Sequence, residues 1–467
     1  MASTMTTQAA QSEGAAPPSA LATGRGRAIL ALLCTIAFLD FVDASIVNVA
    51  LPSIRRDLGF SVQSLQWVLS GYLLTYGGFM LLGGRAADLF GRRRILIGGT
   101  VLFALSSLSG GLAQSEGMLV GARLVQGIGA ALMLPAALSL LTTTFTGRDR
   151  ATALGVWGGV AGLASAVGVL LGGVLSEGPG WRWVLLVNEP VCVIAVIAAL
   201  RLFADDARRP SSAARLDVRG ALLSTGGMLL LVYTLVKAPD AGCGAARTIG
   251  GLAGAVALLV AFVVNEARVK DPLLPLSIFR VRGLAAADVT QLIGIAGIIS
   301  MFFFLTLYMQ NVLGWSQLQT GLAYLPLCFG VGIAAGVASQ LLVRVGTRPV
   351  MVVGALLAAT GLFLLSRVPV DGSYLSDLLP GLMVASFGLG SVFVAVTTAA
   401  NEGVPPDQAG LAAALLNTSQ QVGGALGLAI FSALATARTT DLLADHTPPA
   451  EAMTQGIHRA LLACAIC

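Results

Sequence analysis

The sequence predicts an all-α polytopic membrane protein, two six-helix bundles with two further helices inserted between them. Three observations predict it. Of 467 residues, 56% are hydrophobic and 11% charged, with a mean hydropathy of +0.85, whereas water-soluble chains carry about 25% charged residues. Apolar runs long enough for a hydrocarbon core of roughly 30 Å recur along the whole chain. Finally, SLQWVLSGYLL (Ser64 to Leu74) is echoed by QLQTGLAYLPL (Gln317 to Leu327), and DLFGRRRIL (Asp88 to Leu96) by VRVGTRPVM (Val343 to Met351), at offsets of 252 to 255. Two echoes at nearly one offset indicate two parallel halves. The second half lacks the Asp, so the halves are not functionally equal.

Residues 1–24 are rich in Ala, Ser, Thr, Gln and Pro without periodicity, which predicts a disordered cytoplasmic tail. Arg25 and Arg27 precede an apolar run over 29–51 that is too long for a signal peptide and has no small-residue cleavage site, hence an uncleaved first span. Spans at 65–84, 95–113, 118–141, 151–175 and 184–203 complete an N-terminal bundle over 25–205. Runs at 220–237 and 248–265 form the inserted pair within 206–270. Those at 284–308, 321–343, 349–366, 378–400 and 409–435 belong to a C-terminal bundle over 271–467. A fourteenth run begins near Ile457, and the residues left to Cys467 rise only about 16 Å. The expectation is therefore 13 full spans and a truncated 14th.

With the N-terminus inside, cytoplasmic segments hold nineteen of the 28 Lys and Arg, the outer loops hold eight, and Arg123 lies within a span. That asymmetry predicts a cytoplasmic N-terminus. The net charge of +5 is spread over short loops and forms no basic face, which argues against nucleic acid as a partner. The six cysteines sit mostly in apolar runs and imply no disulfide framework. There is no G-x-x-x-x-G-K-[ST] loop for ATP, and no H-E-x-x-H or G-x-S-x-G for intramembrane hydrolysis. The chain is expected not to be an enzyme and to need no cofactor or metal.

An ionisable side chain inside the membrane costs about 3 kcal/mol on insertion scales, so each asks for a reason. Asp40 and Asp43 stand at i and i+3 on the first span, hence on one face. Two carboxylates in a low-dielectric groove suit reversible protonation, the alternative being helix-to-helix bonding or a wet crevice. Arg123, inside the fourth span, needs an anionic or carbonyl partner, either a first-span carboxylate or backbone carbonyls. Asp288 and Gln291 share a face of the ninth span, toward a cavity or, for Asp288, the membrane interface. Glu189, between Asn188 and Pro190, either meets substrate or caps a helix at the headgroups. Trp157, Phe302, Phe303, Tyr308, Tyr324, Asn417 and Gln421 are the aromatic and amide groups expected to line a cavity for planar amphipathic compounds.

Several runs resemble one family. GGRAADLFGRRR (Gly83 to Arg94) resembles the signature loop of the major facilitator superfamily, G-x-L-A-D-x-x-G-R-K/R, with Ala86 where Leu is usual. Arg123-x-x-Gln126-Gly127-x-Gly129 resembles the fourth-helix motif of its proton antiporters. LDFVDASIVNVALPSI (Leu39 to Ile54) is similar to the first-helix motif of the fourteen-span drug:proton antiporter branch, with Asp43, Ser45 and Asn48 on the motif positions. GWRWVLLVNEP (Gly180 to Pro190) and AGLAAALLNTSQQVGGALG (Ala409 to Gly427) resemble the same branch. The fifth-helix antiporter motif, G-x-x-x-G-P-x-x-G-G, falls on Ala164 to Gly173, with Gly168, Gly172 and Gly173 in place and Val169 where a kinking Pro is usual.

The resemblance implies the major facilitator fold and a proton-coupled secondary transporter that exports drugs or antibiotics by alternating access, powered by the proton gradient. It implies a monomer in a bacterial plasma membrane, whose partners are an organic substrate, protons and lipid. Asp43, Asp40 and Arg123 would couple protons. Gly84, Asp88, Gly91 and Arg92 would form a cytoplasmic gate, with simple anchoring by the arginines as the alternative. Two other functions stay open: a dedicated exporter of one secondary metabolite for self-resistance, and a transport-inactive membrane sensor.

Overall fold

A computed structural model describes residues 20–204, 217–241, 245–270, 272–281, 283–402, 404 and 409–467. The tail expected over 1–24, up to residue 19, and the start of the inserted segment, 206–216, lie outside the described residues. The major helices are α1 (Gly24–Leu58), α2 (Trp67–Phe90), α3 (Arg92–Gly111), α4 (Glu116–Thr144), α5 (Gly147–Glu177), α6 (Asn188–Leu202) and α7 (Val218–Ala241). They continue with α8 (Ala246–Arg268), α9 (Leu284–Leu307), α10 (Gln317–Val345), α11 (Thr347–Leu365), α12 (Leu379–Asn401), α13 (Ala409–Ala444) and α14 (Pro449–Ile466). Among the described residues, twelve helices are long and apolar enough to cross a membrane. The other two are α5, a continuous helix of 31 residues, and α14, of 18.

Local chemistry sets the ends. The Thr23 hydroxyl accepts from the Gly26 amide at the start of α1, and Gly59, at φ 78°, closes its other end by donating to the Arg55 carbonyl. Ser316 and Gln319 form a reciprocal capping box on α10. Gly91 (φ 98°) and Gly346 (φ 80°) each turn the chain within a single residue, between α2 and α3 and between α10 and α11. Only glycine takes that backbone without strain, which gives the second sequence echo a structural meaning. The last two helices depart most from expectation, and α13 runs on to Ala444, past the expected end at 435. The last helix starts at Pro449, not near Ile457, because Pro in the first turn and Glu451 behind it favour a helix start that hydropathy does not register.

The principal packing pairs repeat eight helices apart: α1·α5 with α9·α13, α2·α4 with α10·α12, α3·α4 with α11·α12, and α1·α6 with α9·α14. Apolar side chains gain little from burial against each other in lipid, so close backbone approach matters. Gly168 and Gly172 of α5 let it touch the Val42 and Ile46 carbonyls of α1, while Gly423 and Gly427 of α13 meet the Leu292 and Ala296 carbonyls of α9 in the same way. Across the halves, α2 packs on α13 and α5 on α10; α7 lies against both α2 and α13, and α8 packs on α7.

Side-chain bonds between the halves gather where α1 ends. Gln310, in a π-helical turn after α9, donates to the Val49 carbonyl at 3.0 Å. Gln317 donates to Ser53 Oγ at 2.7 Å, and the Leu318 amide to Glu177 Oε2 at 3.1 Å.

Candidate functional site

Five helices bring polar groups to one point inside the first bundle. On α1, Asp40 and Asp43 share the face that turns toward α2 and α4, and Asp43 is fully buried. Arg123 of α4, also fully buried, donates through Nη1 to Asp43 Oδ2 at 2.6 Å and to Gln126 Oε1 at 2.7 Å, and through Nε to the Val68 carbonyl at 3.0 Å. The second carboxylate oxygen, Asp43 Oδ1, accepts from Gln126 Nε2 and from Asn188 Nδ2 of α6, both at 2.9 Å. Ser107 of α3 accepts from Asn188 at 3.0 Å and donates its own hydrogen bond to the Leu185 carbonyl at 3.0 Å.

Asp40 has its own cradle. Tyr72 and Tyr76 of α2, one turn apart, donate to its two oxygens at 2.7 and 3.0 Å. The Tyr72 ring also lies under the guanidinium, 4.2 Å from ring centre to Cζ, so one side chain touches both charge centres. Arg123 Nη2 has no hydrogen-bond partner. Burying an ion pair costs least when its remaining donors and acceptors are met; here both Asp43 oxygens are served, while the two N–H donors of Arg123 Nη2 are not.

The other predicted residues fall in three places. Asp288 and Gln291 are buried between α9 and α13: Ser419 Oγ reaches Asp288 Oδ1 at 3.5 Å, Asp288 Oδ2 is unpartnered, and Gln291 donates to Gln420 at 3.2 Å. Phe302 packs on the Tyr324 ring at 4.8 Å. Tyr324 is itself fully buried with its hydroxyl on the Phe302 carbonyl, and Tyr308 is fully buried with its hydroxyl on the Pro369 carbonyl. In this conformation both tyrosines brace the second bundle and neither faces open space. Asn417 bonds back to its own helix at the Ala413 carbonyl, Gln421 lies against Gly77 across the seam, and Trp157 is half-buried on α5.

At the gate loop, Arg92 and Asp88 pair at 3.3 Å, both partly exposed and both within the first bundle. Gly84 packs loosely near Pro135. The three antiporter-motif glycines divide their work: Gly168 and Gly172 seat α1, whereas Gly173 seats the Gln317–Leu318 backbone of α10.

On α6 it is Asn188 that enters the cluster, while Glu189, read from the sequence as a substrate contact or a helix cap, leaves its Oε1 without a partner. Adjacent helical residues point about 100° apart, so only one of the two can face α1 and α3. Ser107, Gln126, Tyr72 and Tyr76 also belong to the cluster without having been given roles. Gln126 was legible one turn from Arg123, and the Tyr72/Tyr76 pair as polar hydroxyls at i and i+4.

The described helices thus form a two-bundle membrane protein with an ion pair buried where five of them meet. The Major Facilitator Superfamily profile matches residues 33–428. The chain is 44% identical over 442 residues to the puromycin resistance protein pur8 of Streptomyces alboniger, covering 92% of this chain and 86% of that one. It is 41% identical over 413 residues to the cephamycin export protein CmcT of Amycolatopsis lactamdurans, covering 87% and 85%. Its fold is similar to that of a bacterial homologue of the lysosomal transporter Spinster, in an inward-facing, unoccupied conformation, with a TM-score of 0.64 at 17% identity over 95% and 94% of the chains. An autoinhibited POT family peptide transporter gives 0.65 at 16% identity over 94% and 95%. The chain belongs to the major facilitator superfamily and is a transporter, not an enzyme.

Proposed function

We propose that this protein is a proton-coupled exporter of amphipathic organic compounds of the antibiotic class, working by alternating access, with thirteen full spans, a shorter fourteenth and a cytoplasmic N-terminus. The observation that carries the reading is the fully buried Asp43–Arg123 pair, tied to Gln126 and Asn188. Ionised, Asp43 holds α1 to α4 and α6 through three donors. A proton on Asp43 removes an acceptor site and the countercharge of Arg123, whose spare Nη2 then seeks another acceptor. The bonds that hold α1 in place thus depend on one proton, and α1 is the helix whose far end meets the second bundle at Gln310 and Gln317.

The relatives' names, for resistance to or export of antibiotics, support outward transport of such compounds. With the Arg92–Arg94 end in the cytoplasm, the Gln317–Ser53 and Glu177–Leu318 contacts lie on the outer side, and the conformation is open toward the cytoplasm. Asp288, Gln291, Glu189, Phe302 and Trp157 remain the cavity groups of this reading, and the transporter acts as a monomer. The test is efflux in proteoliposomes under an imposed pH gradient, with puromycin as first probe: collapse of the gradient should stop export. Export that persists without the gradient sinks proton coupling.

A second reading, a dedicated exporter of one metabolite, is favoured by the two relatives above, each named for a single antibiotic. A panel of antibiotics with one transported member supports it.

A further inference from the structure

The inserted helices α7 and α8 carry a second pair of buried carboxyls, outside the Asp43 cluster. Asp217 stands at the N-cap of α7, where its Oδ1 accepts from the Gly220 amide at 2.8 Å and its Oδ2 from Asn265 Nδ2 of α8 at 2.5 Å. The next residue of α8, Glu266, is only 3% exposed; its Oε2 accepts from the Leu274 amide at 2.8 Å, and its Oε1 has no partner. That free oxygen is aimed at Asp217. A Cβ built on Gly220 would lie 2.6 Å from Asp217 Oδ2 and 2.6 Å from Glu266 Oε1, so the two oxygens converge where Gly220 leaves room.

Two ionised carboxylates so placed offer each other acceptors and no donor, and their like charges repel in a site closed to water. No neighbouring charge answers them. Arg219 of α7, Arg268 of α8, Lys270 and Arg280 of the segment that leads to α9, Arg85 of α2 and Glu402 after α12 are all exposed, and among the described residues none forms an ion pair with either carboxyl. A single proton on Glu266 Oε1 resolves the contact. Glu266 then donates to the Asp217 carboxylate in a charge-assisted hydrogen bond, and every other bond of the pair stays in place. A metal ion fits less well, because Asn265 already presents an N–H donor to Asp217 Oδ2 and, among the described residues, no third His, Cys, Asp or Glu joins the two.

The bond matters because of what it fastens. Through Asn265, Asp217 joins the start of α7 to the end of α8, and through the Leu274 amide, Glu266 ties both to the segment over 272–281. That segment is seated on the second bundle: Leu274 and Ile278 are buried in one cluster with Val396 and Ala400 of α12 and Ala412 of α13, and Leu81 of α2 packs against the same cluster. At its other end α7 is held by the first bundle, where Gln63, just before α2, donates to the Val236 carbonyl and the Trp67 and Tyr233 rings lie 6.5 Å apart. We propose that Asp217 and Glu266 form a proton-binding site of the inserted pair, separate from Asp43, whose one shared proton clamps α7 and α8 to the 272–281 segment and makes this strap between the bundles sensitive to pH. The clamp is closed at low pH and opens as pH rises and the shared proton leaves. It goes beyond the export reading and stands whichever way the chain faces the membrane.

Hydrogen–deuterium exchange of the 272–281 segment in the purified full chain tests it, read against Glu266→Gln at the same pH so that the intrinsic rate cancels. The Gln side chain keeps the acceptor for Leu274 and supplies a permanent donor to Asp217. Wild type and variant should therefore exchange alike at low pH, and the wild type should lose protection relative to the variant by up to about tenfold per pH unit once the shared proton dissociates. Asp217→Asn supplies the donor from the other side and, as an independent variant, should flatten the pH dependence too. Gly220→Ala puts a methyl between the two oxygens and should release the segment already at low pH. Wild type and both amide variants that track each other over the whole range, or a Gly220→Ala segment as protected as that of the wild type, overturn the clamp. So does protection that follows sodium, potassium or divalent-ion concentration at fixed pH, which would mean that a cation and not a proton joins the carboxyls.

Discussion

At the scale of single residues, the decisive feature is that Asp43 and Arg123 are both sealed from solvent and in contact at 2.6 Å. Asp43→Asn keeps the shape and one acceptor but carries no proton, so pH-driven export should vanish while the protein still reaches the membrane. Drug gradients equal to wild type in the variant would remove Asp43 from the coupling site. Arg123→Ala leaves a buried carboxylate with two amide donors and no countercharge, a loss of about 3–5 kcal/mol for a broken buried pair, to be read as a lower melting temperature in detergent. The double variant Asp43→Asn with Arg123→Ala should recover part of that stability without recovering coupling, because the uncompensated charge is gone. Asn188→Ala removes one of three donors to Asp43 and should alter the pH at which export is half-maximal, whereas Glu189→Gln should alter it less. A larger shift for Glu189→Gln would show that the α6 contact has been assigned to the wrong neighbour.

At the scale of helices, α5 works as a spacer between two partners. Gly172 presses on the Ile46 carbonyl, with 2.7 Å to an added Cβ, and Gly173 on the Leu318 backbone, with 2.8 Å. Gly172→Val should push α1 away from α5 and lower both stability and transport, because backbone cannot yield as a side-chain tip can. Gly173→Val acts on the other half, so it should favour the state in which the Gln310, Gln317 and Leu318 contacts are broken. Cysteine accessibility at Ser53 measures this: labelling rises for Gly173→Val if the contact holds that end shut, and unchanged labelling would show that it does not. These roles were half legible. The glycines stood out in the sequence, but nothing in their spacing revealed that one of three neighbours serves the opposite bundle. Val169 in place of the usual Pro was legible too, and α5 runs unbroken through that position, as α1, α4 and α10 do through Pro52, Pro135 and Pro326.

At the scale of the molecule, the halves are held at one end by three hydrogen bonds and the close approach of Gly173 and Gly321. Gln317→Ala combined with Glu177→Gln removes two of these bonds and should raise the share of molecules open on that side, measured by spin-label distances between α1 and α10. Unaltered distance distributions would show that the bonds follow closure without sustaining it. The sequence by itself determined the helical class, twelve of the spans and the family, because apolar runs and signature motifs are local properties of the chain; the fifth run and the truncated fourteenth are not among the twelve described helices long and apolar enough to cross. Only the tertiary structure decided which carboxylate Arg123 meets, 80 residues away, and that Asn188 reaches Asp43 from 145 residues away. It also decided that Tyr308 and Tyr324 brace a core. Those outcomes depend on how helices rotate and cross, and a side chain's face toward a distant helix is set by packing that no local pattern encodes.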